Sequence, residues 1–195
     1  MKSLSILVLA AALAAPAASA AEMPKGSIAG YITMTELDLG SFGNDDGTGF
    51  GVRGWGSVNG PFFVHGEYQT TTLDDSDIDV SQLRLGGGLV GELGPGSMWI
   101  GKAEYITTGS DLDQSGFGIH GGAMFSASPQ LHLMGTLGYL VTDDTDGLEF
   151  NVGGSFSFTR EFSAVIDYRS YMGSVDPSGD FDLTDLRFGV AYMFY

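Results

Sequence analysis

The chain has 195 residues, no cysteine and 31 glycines, and it carries eight Lys and Arg against 24 Asp and Glu, a net charge of −16. That balance leaves no basic footprint for nucleic-acid phosphates, and the missing cysteine excludes a disulfide scaffold, a thiolate zinc site and a lipidated N-terminal cysteine. Charged residues are only 16% and apolar ones 43%, so the chain has the apolar surface to fold that a disordered acidic chain lacks.

Residues 1–20 read as a cleaved secretory signal peptide. Lys2 supplies the positive start, the apolar run from Leu4 to Leu13 is too short to span a bilayer as a helix, and Ala18-Ser19-Ala20 is a small-x-small cleavage site. The mature domain, 21–195, then repeats one pattern: about ten residues alternating in polarity, followed by a turn or polar connection. The predicted strands are Ser27–Leu39, Gly49–Val58, Phe62–Thr72, Ser81–Val90, Met98–Thr108, Gly116–Ser126, Leu131–Val141, Leu148–Phe158, Phe162–Tyr171 and Leu183–Phe194. In the eighth, Leu148, Phe150, Val152, Phe156 and Phe158 alternate with Glu149, Asn151, Gly153, Ser155 and Ser157. Strand side chains point to opposite faces with period two, so each strand has one apolar and one polar or small face. The first strand has the least clear parity, because Ile28, Ile32 and Met34 compete with Tyr31, Leu37 and Leu39.

A soluble β-sandwich or barrel and a membrane barrel with its apolar face outward both fit this alternation. The connections separate them. Those after even strands are short, such as Asn59-Gly60-Pro61; those after odd strands are mostly longer and Asp-rich. Outer-membrane barrels have this asymmetry, with short periplasmic turns and longer outside loops, and they carry aromatic girdles. Tyr31, Phe50, Tyr68, Trp99, Tyr105, Phe125, Tyr139, Phe158, Phe162 and Tyr168 are the girdle candidates. The last strand carries Leu186, Phe188, Val190, Tyr192 and Phe194 on one face, like the C-terminal signal read by the barrel assembly machinery, although Tyr195 follows the final outward aromatic. The expected fold is all-β: a transmembrane antiparallel up-and-down β-barrel of ten strands, or eight if two segments merge. An even count puts both termini in the periplasm.

The five odd connections hold Asp45, Asp46, Asp74, Asp75, Asp77, Asp79, Asp111, Asp113, Asp143, Asp144, Asp146, Asp176, Asp180 and Asp182, and no Lys or Arg. Inward parity carries Arg53, His65, Glu67, Arg84, Lys102, Glu104, Glu149, Asp167, Arg169 and Arg187, with His120, His132 and Asp185. Both signs occur, so the inward set reads as an ion-paired lumen network, in which each charge avoids the cost of lone burial. Small inward residues such as Gly51, Gly86, Gly88, Gly138 and Gly153 leave room for water, and so for a narrow pore, or for neighbouring arginine arms. No histidine stands in a His-x-Ser pair, and no catalytic site is assigned; His65-x-Glu67 shares a face and reads as a lumen pair. No cofactor is called for, except that Asp75-x-Asp77-x-Asp79 and Asp143, Asp144 and Asp146 offer oxygen ligands for Ca²⁺ or Mg²⁺. An EF-hand is excluded, because Val80 and Gly86 stand where glycine and the closing glutamate belong.

Three stretches carry a family likeness: Asp46-Gly-Thr-Gly-Phe-Gly-Val-Arg-Gly54; Phe63-Val-His-Gly-Glu-Tyr-Gln69 through Leu73-Asp-Asp-Ser-Asp-Ile-Asp-Val80; and Leu83-Arg-Leu-Gly-Gly-Gly88. With them the chain resembles small outer-membrane barrels of the outer-membrane protein A and X type. It is most similar to the xanthomonad-type outer-membrane proteins once proposed as secreted immune elicitors. The resemblance implies a location in the outer membrane of a Gram-negative bacterium and links to envelope integrity, adhesion or virulence. Expected partners are outer-membrane lipid and lipopolysaccharide, with periplasmic chaperones and the assembly machinery during biogenesis, and the expected state is a monomer. A narrow channel and an outer-membrane enzyme are the alternatives.

Overall fold

In the computed structural model, residues 24–40, 43–76, 78–110, 113–175 and 179–195 are described. The leader segment and Asp77, Asp111 and Asp176 lie outside them. Ten strands follow in chain order: β1 Gly26–Asp38, β2 Asn44–Asn59, β3 Phe62–Leu73, β4 Asp79–Gly94, β5 Ser97–Ser110, β6 Gln114–Ser126, β7 Leu131–Thr142, β8 Asp146–Ser157, β9 Phe162–Val175 and β10 Gly179–Phe194. Each pairs antiparallel with its chain neighbours, and β1 also pairs with β10 from Gly26↔Phe194 to Asp38↔Asp182, which closes the barrel. Closure leaves no unpaired edge, the condition for β-structure in a bilayer.

Most large apolar side chains are outside, while Phe63, Leu73, Ile106 and Leu140 are buried. Ile28, Ile32 and Met34 on β1, Phe117 and Ile119 on β6, and Leu137, Tyr139 and Val141 on β7 are all exposed. At the short-turn end an aromatic cluster runs across three strands: Phe158 stacks on Phe162 at 6.4 Å, Phe162 meets Tyr192 edge-on at 5.1 Å, and Tyr192 meets Phe194 at 5.2 Å. Tyr195 is clear of that face. Its hydroxyl donates to the Arg160 carbonyl at 2.9 Å and the Arg160 guanidinium lies 4.5 Å from its ring centre, so Phe194 ends the outward row.

Two expectations need correction. Tyr31 is not a girdle residue: it is 5% exposed and points into the lumen, because β1 presents Ile28, Ile32 and Met34 outward. The odd connections are also not long. They shorten to 39–43, 74–78, 111–113, 143–145 and 176–178, because pairing continues into the acidic segments. Backbone hydrogen bonds do not require apolar side chains, so Asp45, Asp46, Asp79, Asp146, Asp180 and Asp182 are strand residues. Strands of 12 to 16 residues exceed the roughly 9–11 needed to cross a bilayer.

Candidate functional site

The lumen-facing charges meet across the barrel in two groups. In the first, Arg84 on β4 donates from Nη1 and Nη2 to the Glu149 carboxylate on β8 at 2.8 and 2.6 Å, and from Nη1 to Glu104 on β5 at 3.0 Å. Lys102 Nζ donates to Glu104 at 2.8 Å, His120 Nε2 lies 3.1 Å from Glu149, and His65 Nε2 lies 3.4 Å from Glu104. In the second group, Arg169 on β9 donates to Asp185 at 2.5 and 2.9 Å and to Glu67 on β3 at 3.0 Å. Arg187 donates to Glu67 at 3.0 Å and pairs with Asp167, which also receives Arg53 at 2.7 Å.

The predicted network residues are therefore brought together, mostly across strands rather than along them, with Lys102 and Glu104 on β5 a pair within one strand. His65 and Glu67 share a face yet serve different partners. The set is balanced: Arg53, Arg84, Lys102, Arg169 and Arg187 face Glu67, Glu104, Glu149, Asp167 and Asp185. Arg84–Glu149 and Arg169–Glu67 each join strands four places apart in the ten-strand ring, so both span the lumen. A buried charge with several charge-assisted bonds avoids the several kcal/mol of lone burial.

The sequence reading missed the neutral partners. Asp185 accepts from Thr35 at 2.6 Å and from Gln69 at 3.3 Å, and Tyr31 donates to Gln69 at 3.2 Å with the Arg53 and Arg187 guanidiniums each 5.5 Å from its ring centre. Inward parity was the signal for them. Four of the inward glycines house rings rather than open space, and Gly153 faces the Asp167 side chain. A Cβ on Gly51 would meet the Tyr31 ring, one on Gly138 the His120 ring, one on Gly86 His65 Nε2 at 2.7 Å, and one on Gly88 the Phe63 ring at 2.7 Å. Each of these four stands directly across from the ring that covers it.

Among the described residues, one group of three His, Asp and Glu side chains has ligating atoms within 4.8 Å of one another: Glu104, His120 and Glu149. Its carboxylates already accept from Arg84 and Lys102, so a divalent ion there would face two committed cations, and the donor set does not suit a metal.

At the acidic end, the side chains have other partners. Asp45 is turned inward and accepts from the Asp75 and Ser76 amides at 2.9 and 3.0 Å, which pins the β3–β4 turn to β2. Asp79 accepts from Thr72 at 2.6 Å, Asp143 accepts from the Ser115 amide and hydroxyl at 3.0 and 2.9 Å, and Asp146 accepts from the Tyr139 hydroxyl. Glu36, Asp38, Asp46, Asp79, Asp146, Asp180 and Asp182 form an outward-facing acidic collar beyond the apolar belt. In it Asp38 stands opposite Asp182 and Glu36 opposite Asp46.

The outer membrane protein beta-barrel domain model matches residues 5–194. No curated protein matches the chain in sequence. Among solved structures, the chain is similar to the outer membrane channel from Pseudomonas putida F1, with a TM-score of 0.56 and 10% identity over 88% of this chain and 97% of that one. Neisserial surface protein A gives a TM-score of 0.49 at 12% identity over 87% and 97%. Ail, the attachment invasion locus protein of Yersinia pestis, gives 0.46 at 16% over 88% and 100%. At these identities the likeness is one of fold.

Proposed function

The chain belongs to the outer membrane protein beta-barrel domain family, and from that premise we propose that it serves the Gram-negative envelope as a closed, non-enzymatic barrel presenting an acidic collar outside. The short-turn end and both termini face the periplasm in this reading. The finer likeness, to the xanthomonad-type proteins, rests on the stretches Asp46–Gly54, Phe63–Val80 and Leu83–Gly88.

One observation carries the reading: Arg84–Glu149 and Arg169–Glu67 cross the lumen and leave it charge-balanced. A pore for ions or small solutes needs a continuous wet path, and a network with every charge committed opposes one. The work of the protein then falls to its outer surfaces. The collar lies just beyond the lipid-facing belt, at the depth of lipopolysaccharide phosphates. Ca²⁺ or Mg²⁺ shared between these phosphates and Asp38, Asp46, Asp79, Asp146 or Asp182 would join two anionic surfaces through hard oxygen ligands.

Planar-bilayer recording of the refolded barrel tests closure. The expected result is no steady conductance in molar KCl; reproducible unitary currents from the wild-type chain would replace this reading with that of a channel. Thermal unfolding in lipopolysaccharide-containing micelles tests the collar, with a higher midpoint expected in millimolar Ca²⁺.

A further inference from the structure

At the short-turn end of the lumen, below the ion network, three methionines form one row. Met98 on β5 stands directly opposite Met124 on β6, and Met124 stands opposite Met134 on β7. All three share the inward parity of Glu104, His120 and Leu140 on their own strands, and all are half-buried. Directly opposed residues in an antiparallel pair have Cβ atoms about 4.5–5.5 Å apart, a separation that flexible thioether arms close easily. His132 lies one inward position nearer the mouth on β7, and its Nδ1 is 3.0 Å from the hydroxyl of Ser126, its cross-strand partner.

We propose that this row is a binding site for a soft monovalent cation, Cu(I) or Ag(I), held by the thioethers of Met98, Met124 and Met134 and by the imidazole of His132.

The ligand chemistry selects the ion. Thioethers are soft, uncharged donors that suit Cu(I), while Ca²⁺ and Mg²⁺ need hard oxygen ligands. Neutral ligands are also enough for a single positive charge in a lumen that is otherwise balanced. When Nδ1–H donates to Ser126 Oγ, the Nε2 lone pair is left bare for the metal; Ser126 then acts as the orienting partner that metal-bound histidines require. Glu92, exposed at the mouth opposite Met98, adds a carboxylate that draws cations in. The nearest cation up the same strand face, Lys102, is committed to Glu104 at 2.8 Å. Met34 and Met172 show where this chain uses the residue as plain apolar surface, exposed on the lipid-facing side. The inner row instead faces the lumen, with Val90 and Ile100 beside Met98 and with Ser126, His132, Thr136 and Ser155 beside Met124 and Met134.

The test uses the mature chain refolded in detergent micelles, chloride-free buffer and Ag(I) nitrate as the redox-inert probe. Calorimetry is expected to show one bound equivalent. In ¹³C-methyl methionine spectra the signals of Met98, Met124 and Met134 should move together while those of Met34 and Met172 stay in place. Met98→Leu with Met124→Leu and Met134→Leu should abolish uptake while keeping heat-modifiable gel migration. Ser126→Ala should weaken binding by about tenfold or more, because the imidazole loses its orienting partner. No uptake by the parent, uptake that survives the triple variant, or equal movement of Met34 and Met172 would overturn the site. If the triple variant does not fold, the methyl spectra of the parent decide alone. The result is independent of the closed-lumen reading, since the row lies to one side of the network.

Discussion

The cross-lumen pair Arg84–Glu149 makes a quantitative prediction. Both side chains are buried, at 5% and 3% exposure, and they share two charge-assisted bonds. Removing one partner of such a pair costs about 3–5 kcal/mol, because the other charge is left buried and under-paired. Glu149→Met leaves Arg84 with Glu104 and Gln82, so its cost falls at about 3 kcal/mol. Arg84→Met leaves Glu149 with His120 alone and takes an acceptor's partner from Glu104 as well, so its cost falls at about 4–5 kcal/mol. The double variant buries neither charge, and its cost should fall short of the sum by about 2–3 kcal/mol. Equilibrium urea unfolding in micelles, read by Trp55 and Trp99 fluorescence, measures all four corners of the cycle. Additive single costs would mean that the pair does not exist in solution. Single costs below about 1 kcal/mol would mean that the lumen is wet enough to solvate both groups, the behaviour of surface pairs.

Other outcomes can be checked by the same unfolding assay. Gly138→Ala drives a Cβ into the His120 ring and should cost about 1–3 kcal/mol, whereas Gly121→Ala, outward with nothing within 4 Å, should be neutral or gain about 0.4–1 kcal/mol. Equal effects at the two sites would refute the account of the inner glycines. Ile119→Arg places a cation on the lipid face of β6 and should cost about 2–4 kcal/mol if that position is near the bilayer midplane, against little for Ile119→Leu. Asp182→Asn relieves the like-charge pair with Asp38, so it should raise the urea midpoint in low salt, with the gain fading as salt screens the rim. A gain that persists at high salt would rule out an electrostatic cause.

Alternation made the wall of the barrel readable in advance. Arg84, Glu104, Glu149, Asp167, Arg169 and Arg187 could be assigned to the lumen because one face of each strand carried apolar residues and the other did not. Their partners could not be assigned, because parity says which side of the sheet a residue faces and nothing about how the sheet curls. Arg84 and Glu149 lie 65 residues apart, and Arg187 and Glu67 lie 120 apart. Tyr31 was misplaced because aromatic character near a strand end suggests a girdle. What fixes it inside is local: it stands between Gly51, which takes its ring, and Gly189, which leaves room for its Cβ. The acidic connections were read as loops because their residues do not alternate in hydropathy, yet backbone pairing runs through them. Ser126 and His132 escaped a search along single strands because their contact crosses from β6 to β7.

The pairing pattern also ties the charges to closure of the barrel. Asp185 on β10 takes bonds from Thr33 and Thr35 on β1, across the seam where the first and last strands join. Glu67 on β3 is served by Arg169 on β9 and Arg187 on β10, and Asp167 on β9 by Arg53 on β2. None of these bonds can form in an open sheet, where β1–β3 and β9–β10 lie at opposite ends. Most strand-neighbour pairings, by contrast, need only local hairpins. An unclosed sheet would keep its charged face in water and lose little by it, but moved into lipid it would carry uncompensated charge, whose cost is several kcal/mol per ion. The network therefore does more than fill space. It makes the closed, seam-joined state the form in which the inner face can leave water, and it couples strands far apart in sequence into one cooperative unit.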